Sequence, residues 1–245
     1  MKLSNSLITL FMVAAVLFSA GFACKSSETS TTDNSTKTTS TPSPSVPKEI
    51  SGDYDATGTN PNGGSPYKAA LLVTPHDQVY QFSWTSGKTS YDGVGVMTDN
   101  SVAVSFTEGG NGKGCGVVLY KITKDGTLDG KIGYWGNNSM ETEKATPKSS
   151  GSLDGVYTIA GKNPEGKEYK GTLTVIQSGE GYTFDWDAGS SFNGFGVKTG
   201  DKVAVGFGGK QCSFVSYEVA SDGTLNGKWG GLGIRTFGTE TAKKK

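Results

Sequence analysis

The chain has 245 residues, of which 23 are basic and 23 acidic, so its formal net charge is zero. The one basic run, Lys243-Lys244-Lys245, is too short to give the electrostatic footprint of a phosphate-backbone binder, and nucleic acid is not an expected partner. Thirty-seven glycines among strand-forming apolar residues, with a single histidine, point to an all-β protein and away from chemistry built on a histidine base or a histidine metal cluster.

Residues 1–23 have the anatomy of an export signal: Lys2, an apolar stretch from Leu7 to Phe18, then the small-residue segment Ser19-Ala20-Gly21-Phe22-Ala23. The apolar stretch is short for a membrane span, which needs about 20 residues. It stops at Cys24 in a way that resembles a bacterial lipobox, although Gly21 and Phe22 depart from the usual residues. That resemblance implies lipidation of Cys24 and a bacterial membrane anchor, with the outer membrane or cell surface as the expected address. The alternative is ordinary cleavage near Ala23 and secretion. Residues 24–49 form a Ser/Thr/Pro-rich stretch without an aromatic, which buries too little apolar area to offset its ordering entropy. It is read as a disordered stalk of roughly 25–30 Å root-mean-square span, or as an O-glycosylated segment.

The remainder is one motif written twice, at 50–147 and 153–245, with 148–152 as a linker. Apolar residues alternate with a period of two in each copy. Tyr67, Leu71 and Val73 match Tyr169, Leu173 and Val175; Tyr80, Phe82 and Trp84 match Tyr182, Phe184 and Trp186. Val102, Val104 and Phe106 match Val203, Val205 and Phe207, and Val118 and Tyr120 match Val215 and Tyr217. Turn formers such as Asp125-Gly126 and Asp222-Gly223 separate these runs. About eight short strands per copy, each with one apolar face, predict two tandem antiparallel up-and-down β-barrels, because closure removes exposed edges. Gly93 and Gly95, with Gly194 and Gly196, are expected to permit a bend or bulge, or to open space inside for a ligand.

Beyond Cys24, each copy carries one cysteine, Cys115 and Cys212. They pair only if the two domains dock face to face; otherwise they remain isolated thiols. Glu143 and Glu240 recur after Thr142 and Thr239 and are read as hydrogen-bond acceptors or partners of a lysine at a barrel end. No Cys-x-x-Cys, His-x-x-x-His or calcium-loop spacing occurs, and no acid, base and nucleophile assemble, so neither enzymatic activity nor a metal or other cofactor is expected.

The shared signature, running from the NP-x-G turn through Y-x-F-x-W to DGTL-x-G and the closing T-E, resembles a bacterial repeat labelled fibronectin-binding protein. Gly155, Tyr157, Asn163, Tyr182, Trp186, Asp222, Gly223, Trp229 and Gly238-Thr239-Glu240 carry it best, while the first copy departs with Ile132 and Glu141 in place of Trp229 and Gly238. In topology the repeat is also similar to avidin-like and lipocalin-like barrels. The resemblance implies a surface lipoprotein that binds a macromolecule, fibronectin or another extracellular-matrix protein, with avidity from two modules. Two alternatives are a small-ligand carrier and a structural module of the envelope. The candidate ligand-binding residues are Trp84, Trp186, Trp229, Tyr80 and Tyr182.

Overall fold

In the computed structural model the described residues are 49–109, 112–149, 151–163, 165–209 and 211–245. The leader, Cys24 and the stalk up to residue 48 lie outside them. The described chain holds sixteen strands and no helix. In order they are β1 (Gly52–Thr59), β2 (Pro66–His76), β3 (Val79–Ser86), β4 (Thr89–Thr98), β5 (Ser101–Glu108), β6 (Cys115–Ile122), β7 (Leu128–Tyr134) and β8 (Glu141–Pro147). The second half continues with β9 (Gly155–Lys162), β10 (Glu168–Ser178), β11 (Gly181–Asp187), β12 (Ser191–Thr199), β13 (Lys202–Gly208), β14 (Ser213–Val219), β15 (Leu225–Gly230) and β16 (Gly238–Lys244). They close into two antiparallel eight-stranded barrels, as the alternating pattern predicts.

The barrels do not coincide with the sequence repeats. The first runs β1-β2-β3-β4-β5-β14-β15-β16 and closes by pairing β16 with β1; the second consists of β6 to β13. The expected barrels at 50–147 and 153–245 are therefore corrected: the second barrel is one continuous segment, Cys115 to Gly208, inserted between β5 and β14 of the first. The supposed interdomain linker at 148–152 lies within the second barrel, between the paired strands β8 and β9.

The ladder explains why repetition alone cannot locate these boundaries. Val215 and Tyr217 of β14 stand opposite Val104 and Val102 of β5, while Val118 and Tyr120 of β6 stand opposite Val205 and Val203 of β13. Because β6 and β14 carry equivalent residues, either could complete either sheet with the same inward side chains. Cross-strand pairing is thus indifferent between the two arrangements.

Each barrel buries its own core. Leu71, Val73, Phe82, Val104, Tyr217 and Leu225 fill the first; Leu173, Val175, Phe184, Val205, Tyr120 and Leu128 fill the second. One end of each is sealed the same way, by buried Ile50 under Tyr54 and buried Leu153 under Tyr157. Each tyrosine hydroxyl donates to the carbonyl four residues earlier, at 2.7 Å. The outward faces of β4, β5, β6 and β13 are apolar too, and Val94, Val96, Ala103, Val117, Leu119 and Ala204 form a dry seam between the barrels. A second cluster, Phe195, Val197, Phe214 and Phe237, extends that seam.

Cys115 opens the inserted segment and Cys212 follows its last strand. They are bonded, with Cα atoms 5.7 Å apart and a sequence separation of 97. The docking on which pairing depends is the seam just described. The disulfide clamps the neck through which the chain enters and leaves the second barrel, and closing so long a loop in the unfolded chain is worth about 4–5 kcal/mol in the chain-entropy account.

The insertion makes a direct forecast. A fragment spanning 113–210 should fold alone, with dispersed amide resonances and a cooperative thermal transition. Two-dimensional NMR of the fragment checks this, and an unfolded 113–210 would contradict it.

Candidate ligand-binding pockets

At the end opposite Ile50 and Leu153 each barrel opens into a pocket whose floor is a buried glutamate. In the first barrel Glu240 Oε1 accepts from Trp84 Nε1 at 3.1 Å and from the Tyr217 hydroxyl, while Oε2 accepts from the Tyr67 hydroxyl at 2.7 Å. In the second, Glu143 Oε1 accepts from Trp186 Nε1 at 3.1 Å and from the Tyr120 hydroxyl, while Oε2 accepts from the Tyr169 hydroxyl at 2.9 Å. The two centres are copies, and each draws residues from both sequence repeats.

Glycines make the room. Glu240 lies in register with Gly58 of β1 and Gly227 of β15, and Glu143 with Gly161 of β9 and Gly130 of β7. A Cβ at Gly161 would sit 2.4 Å from the Tyr169 hydroxyl oxygen, and one at Gly58 would sit 2.6 Å from that of Tyr67. At Gly130 and Gly227 it would strike the rings of Tyr120 and Tyr217. The tyrosines fold across bare backbone on both flanking strands to reach the carboxyl group.

Burial, followed by the neighbouring glutamate, pushes the hydroxyls of Tyr67, Tyr169, Tyr120 and Tyr217 above the ordinary tyrosine range, so all four remain donors. A carboxyl oxygen can accept two hydrogen bonds. Oε1 is doubly used in both centres and Oε2 singly, which leaves one acceptor position beside Tyr67 and one beside Tyr169.

Above this floor the walls are aromatic. In the first pocket Phe106 packs on Trp84 (centroids 5.3 Å apart), Tyr91 (6.1 Å) and Trp229 (6.1 Å). In the second, Trp186 stacks on Phe192 (5.0 Å, interplanar 11°), and Phe207 packs on Trp186 (5.6 Å) and Tyr134 (5.4 Å). The first pocket measures about 190 Å³ and the second about 500 Å³.

One cross-strand pair contributes to the difference in lining. In the first barrel Trp229 faces Gly238, and a Cβ on Gly238 would lie 2.6 Å from Trp229 Nε1. In the second barrel the same positions hold Ile132 and Glu141. The smaller isoleucine leaves the volume that the indole fills in the first barrel, and Glu141 turns into it. This residue is only 5 % exposed, yet its oxygens open onto the pocket and meet no donor or cation among the described residues. Its carboxyl group is pushed up to about 7, first by burial and then by Glu165 and Glu143.

Of the sequence candidates, Trp84 and Trp229 line the first pocket and Trp186 the second. Tyr80 and Tyr182 do not. They are half-buried against the two cores and belong to neither pocket, so their expected ligand role is corrected to packing. Gly95 does not open ligand space either, since the Phe82 ring occupies its side-chain position, and Gly93 admits the Ser105 carbonyl. Glu143 and Glu240 do accept hydrogen bonds, from aromatic donors and not from a lysine. Tyr67, Tyr169, Tyr91, Phe192, Phe106 and Phe207 were legible only as strand residues; their recurrence at equivalent places was the available clue. Compared with protein-family models, curated proteins and solved structures, the chain matches none.

Two outcomes follow. Glu143→Ala strands the buried donors of Tyr120 and Trp186 and should cost about 2–4 kcal/mol in urea unfolding, while Glu143→Gln keeps one acceptor oxygen and should cost less. For Glu141 the folded-state value lies above the ordinary 4.5. The folded state therefore holds the extra proton between the two values, and this group's stability is full below about pH 4.5 and lost as pH rises to 7. Glu141→Gln should remove that slope and gain about 1–2 kcal/mol at pH 8, water in the open pocket screening part of the penalty. Unfolding curves of both proteins from pH 4 to 8 read the difference.

Proposed function

We propose that the protein is a binding protein that holds small, partly apolar ligands in the mouths of its two barrels, displayed at the cell envelope by the lipidated Cys24 and the stalk. The observation that carries this reading is the repeated pocket: stacked aromatic walls over a buried carboxyl group with one acceptor position unused. Aromatic walls with a few convergent polar groups are the usual make-up of a small-molecule site, and the closed opposite ends make each barrel a cup and not a channel. The pockets favour carriage within the fold over recognition of an extracellular-matrix protein on its outside. The exposed large apolar residues, Leu72, Val156, Ile176 and Leu232, are few and divided between the barrels.

A neutral aromatic alcohol such as phenethyl alcohol supplies both a ring and a donor for Oε2. It should bind the fragment 49–245 with a dissociation constant on the order of millimolar, as suits so small a probe, and shift the indole N–H resonances of Trp84 and Trp186. Absence of shifts in both, with the alcohol and with its amine analogue, would refute the proposal.

A further inference from the structure

The two pockets have the same floor but different chemistry at one cross-strand pair, Trp229–Gly238 in the first barrel and Ile132–Glu141 in the second. We infer that the second barrel is a site for an organic cation, an ammonium group on an aryl or alkyl body, whereas the first takes neutral hydrogen-bond donors. The inference rests on the reading of the pockets as ligand sites and gives the second one its ligand class.

Three observations converge on a cation. Glu141, a residue only 5 % exposed, lines the cavity, and its carboxyl group meets no partner among the described residues. Glu143 Oε2 beside it has an unused acceptor position, and Glu165 stands at the rim, so three glutamates converge where, among the described residues, no lysine or arginine lines the pocket. Lys131 and Lys162 lie opposite Thr142 at the outward register, and Lys162 pairs with Glu168 at 3.5 Å.

The walls also suit a cation. The rings of Trp186, Phe192, Phe207 and Tyr134 line the same pocket, and an ammonium placed over an aromatic face is attracted by the ring quadrupole in addition to its ion pair. Burial, then Glu165 and Glu143, raise the Glu141 carboxyl group above its ordinary value; a bound ammonium would offset these effects. In the first barrel Trp229 fills the corresponding volume, Gly238 supplies no charge, and among the described residues Glu240 is the only acidic one in the lining.

Phenethylamine and phenethyl alcohol differ in charge and are matched in shape, so the pair isolates the cation. In the fragment 49–245 at pH 8, calorimetry with the indole N–H resonance of Trp186 as locator should show the amine binding the second barrel about tenfold more tightly than the alcohol. Glu141→Gln should cut that preference to about twofold or less, and lowering the pH to 5.5 should weaken the amine in the unmutated protein more than in Glu141→Gln. Equal affinities for the two probes at Trp186, or a preference that survives Glu141→Gln, overturns the inference while leaving the pockets as ligand sites. Binding of neither probe anywhere overturns the pockets themselves.

Discussion

Most strands here have one apolar face, and both sheets dry that face by closing on themselves. In the second barrel closure is made within one continuous segment. In the first it depends on β1 meeting β16, the two ends of the described chain, through the ladder from Tyr54–Lys244 to Thr59–Thr239. That ladder sets Gly58 against Glu240 and so permits Tyr67 to cross to its carboxyl group. Barrel closure and pocket floor are therefore one arrangement, and slipping the ladder by one residue would turn Glu240 to the outside.

Alternation of side chains made the strands legible, and repetition made the closed sheets legible, because both are local properties of a chain with period two. Membership of a given sheet was not legible. β6 and β14 present equivalent inward residues, so nothing in Val118-Leu119-Tyr120 distinguishes β5 from β13 as a neighbour. The apolar outward positions Ala103, Val117, Leu119 and Ala204 did hint at a second buried face, which a one-faced reading of the strands passed over. The pairing of Cys115 with Cys212 rested on that same contact and could not be decided without it.

The pockets were half visible. Trp84, Trp186 and Trp229 lie in the pocket walls, whereas Tyr80 and Tyr182 share a strand face with Trp84 and Trp186 but lie toward the opposite end of their barrels. Face is a matter of sequence parity; depth depends on strand tilt and on which end is capped, and neither can be read from alternation. The recurrence of Glu143 and Glu240 was visible, but their tyrosine and tryptophan donors come from strands far apart in sequence and meet only after closure. The departures at Ile132 and Glu141, which weaken the first repeat as a copy, are the ones that distinguish the second pocket.

Nesting one barrel inside another also orders their assembly. The inner barrel has all its strands once Gly208 has been synthesised, while β1 to β5 wait with an open edge until β14 to β16 follow. During that interval the unpaired rims of β1 and β5 are the parts of the molecule most open to mispairing with another chain. The inner barrel, already closed, would hold the waiting sheet near the place where its missing strands emerge, and the Cys115–Cys212 bond can form only as those strands begin to arrive.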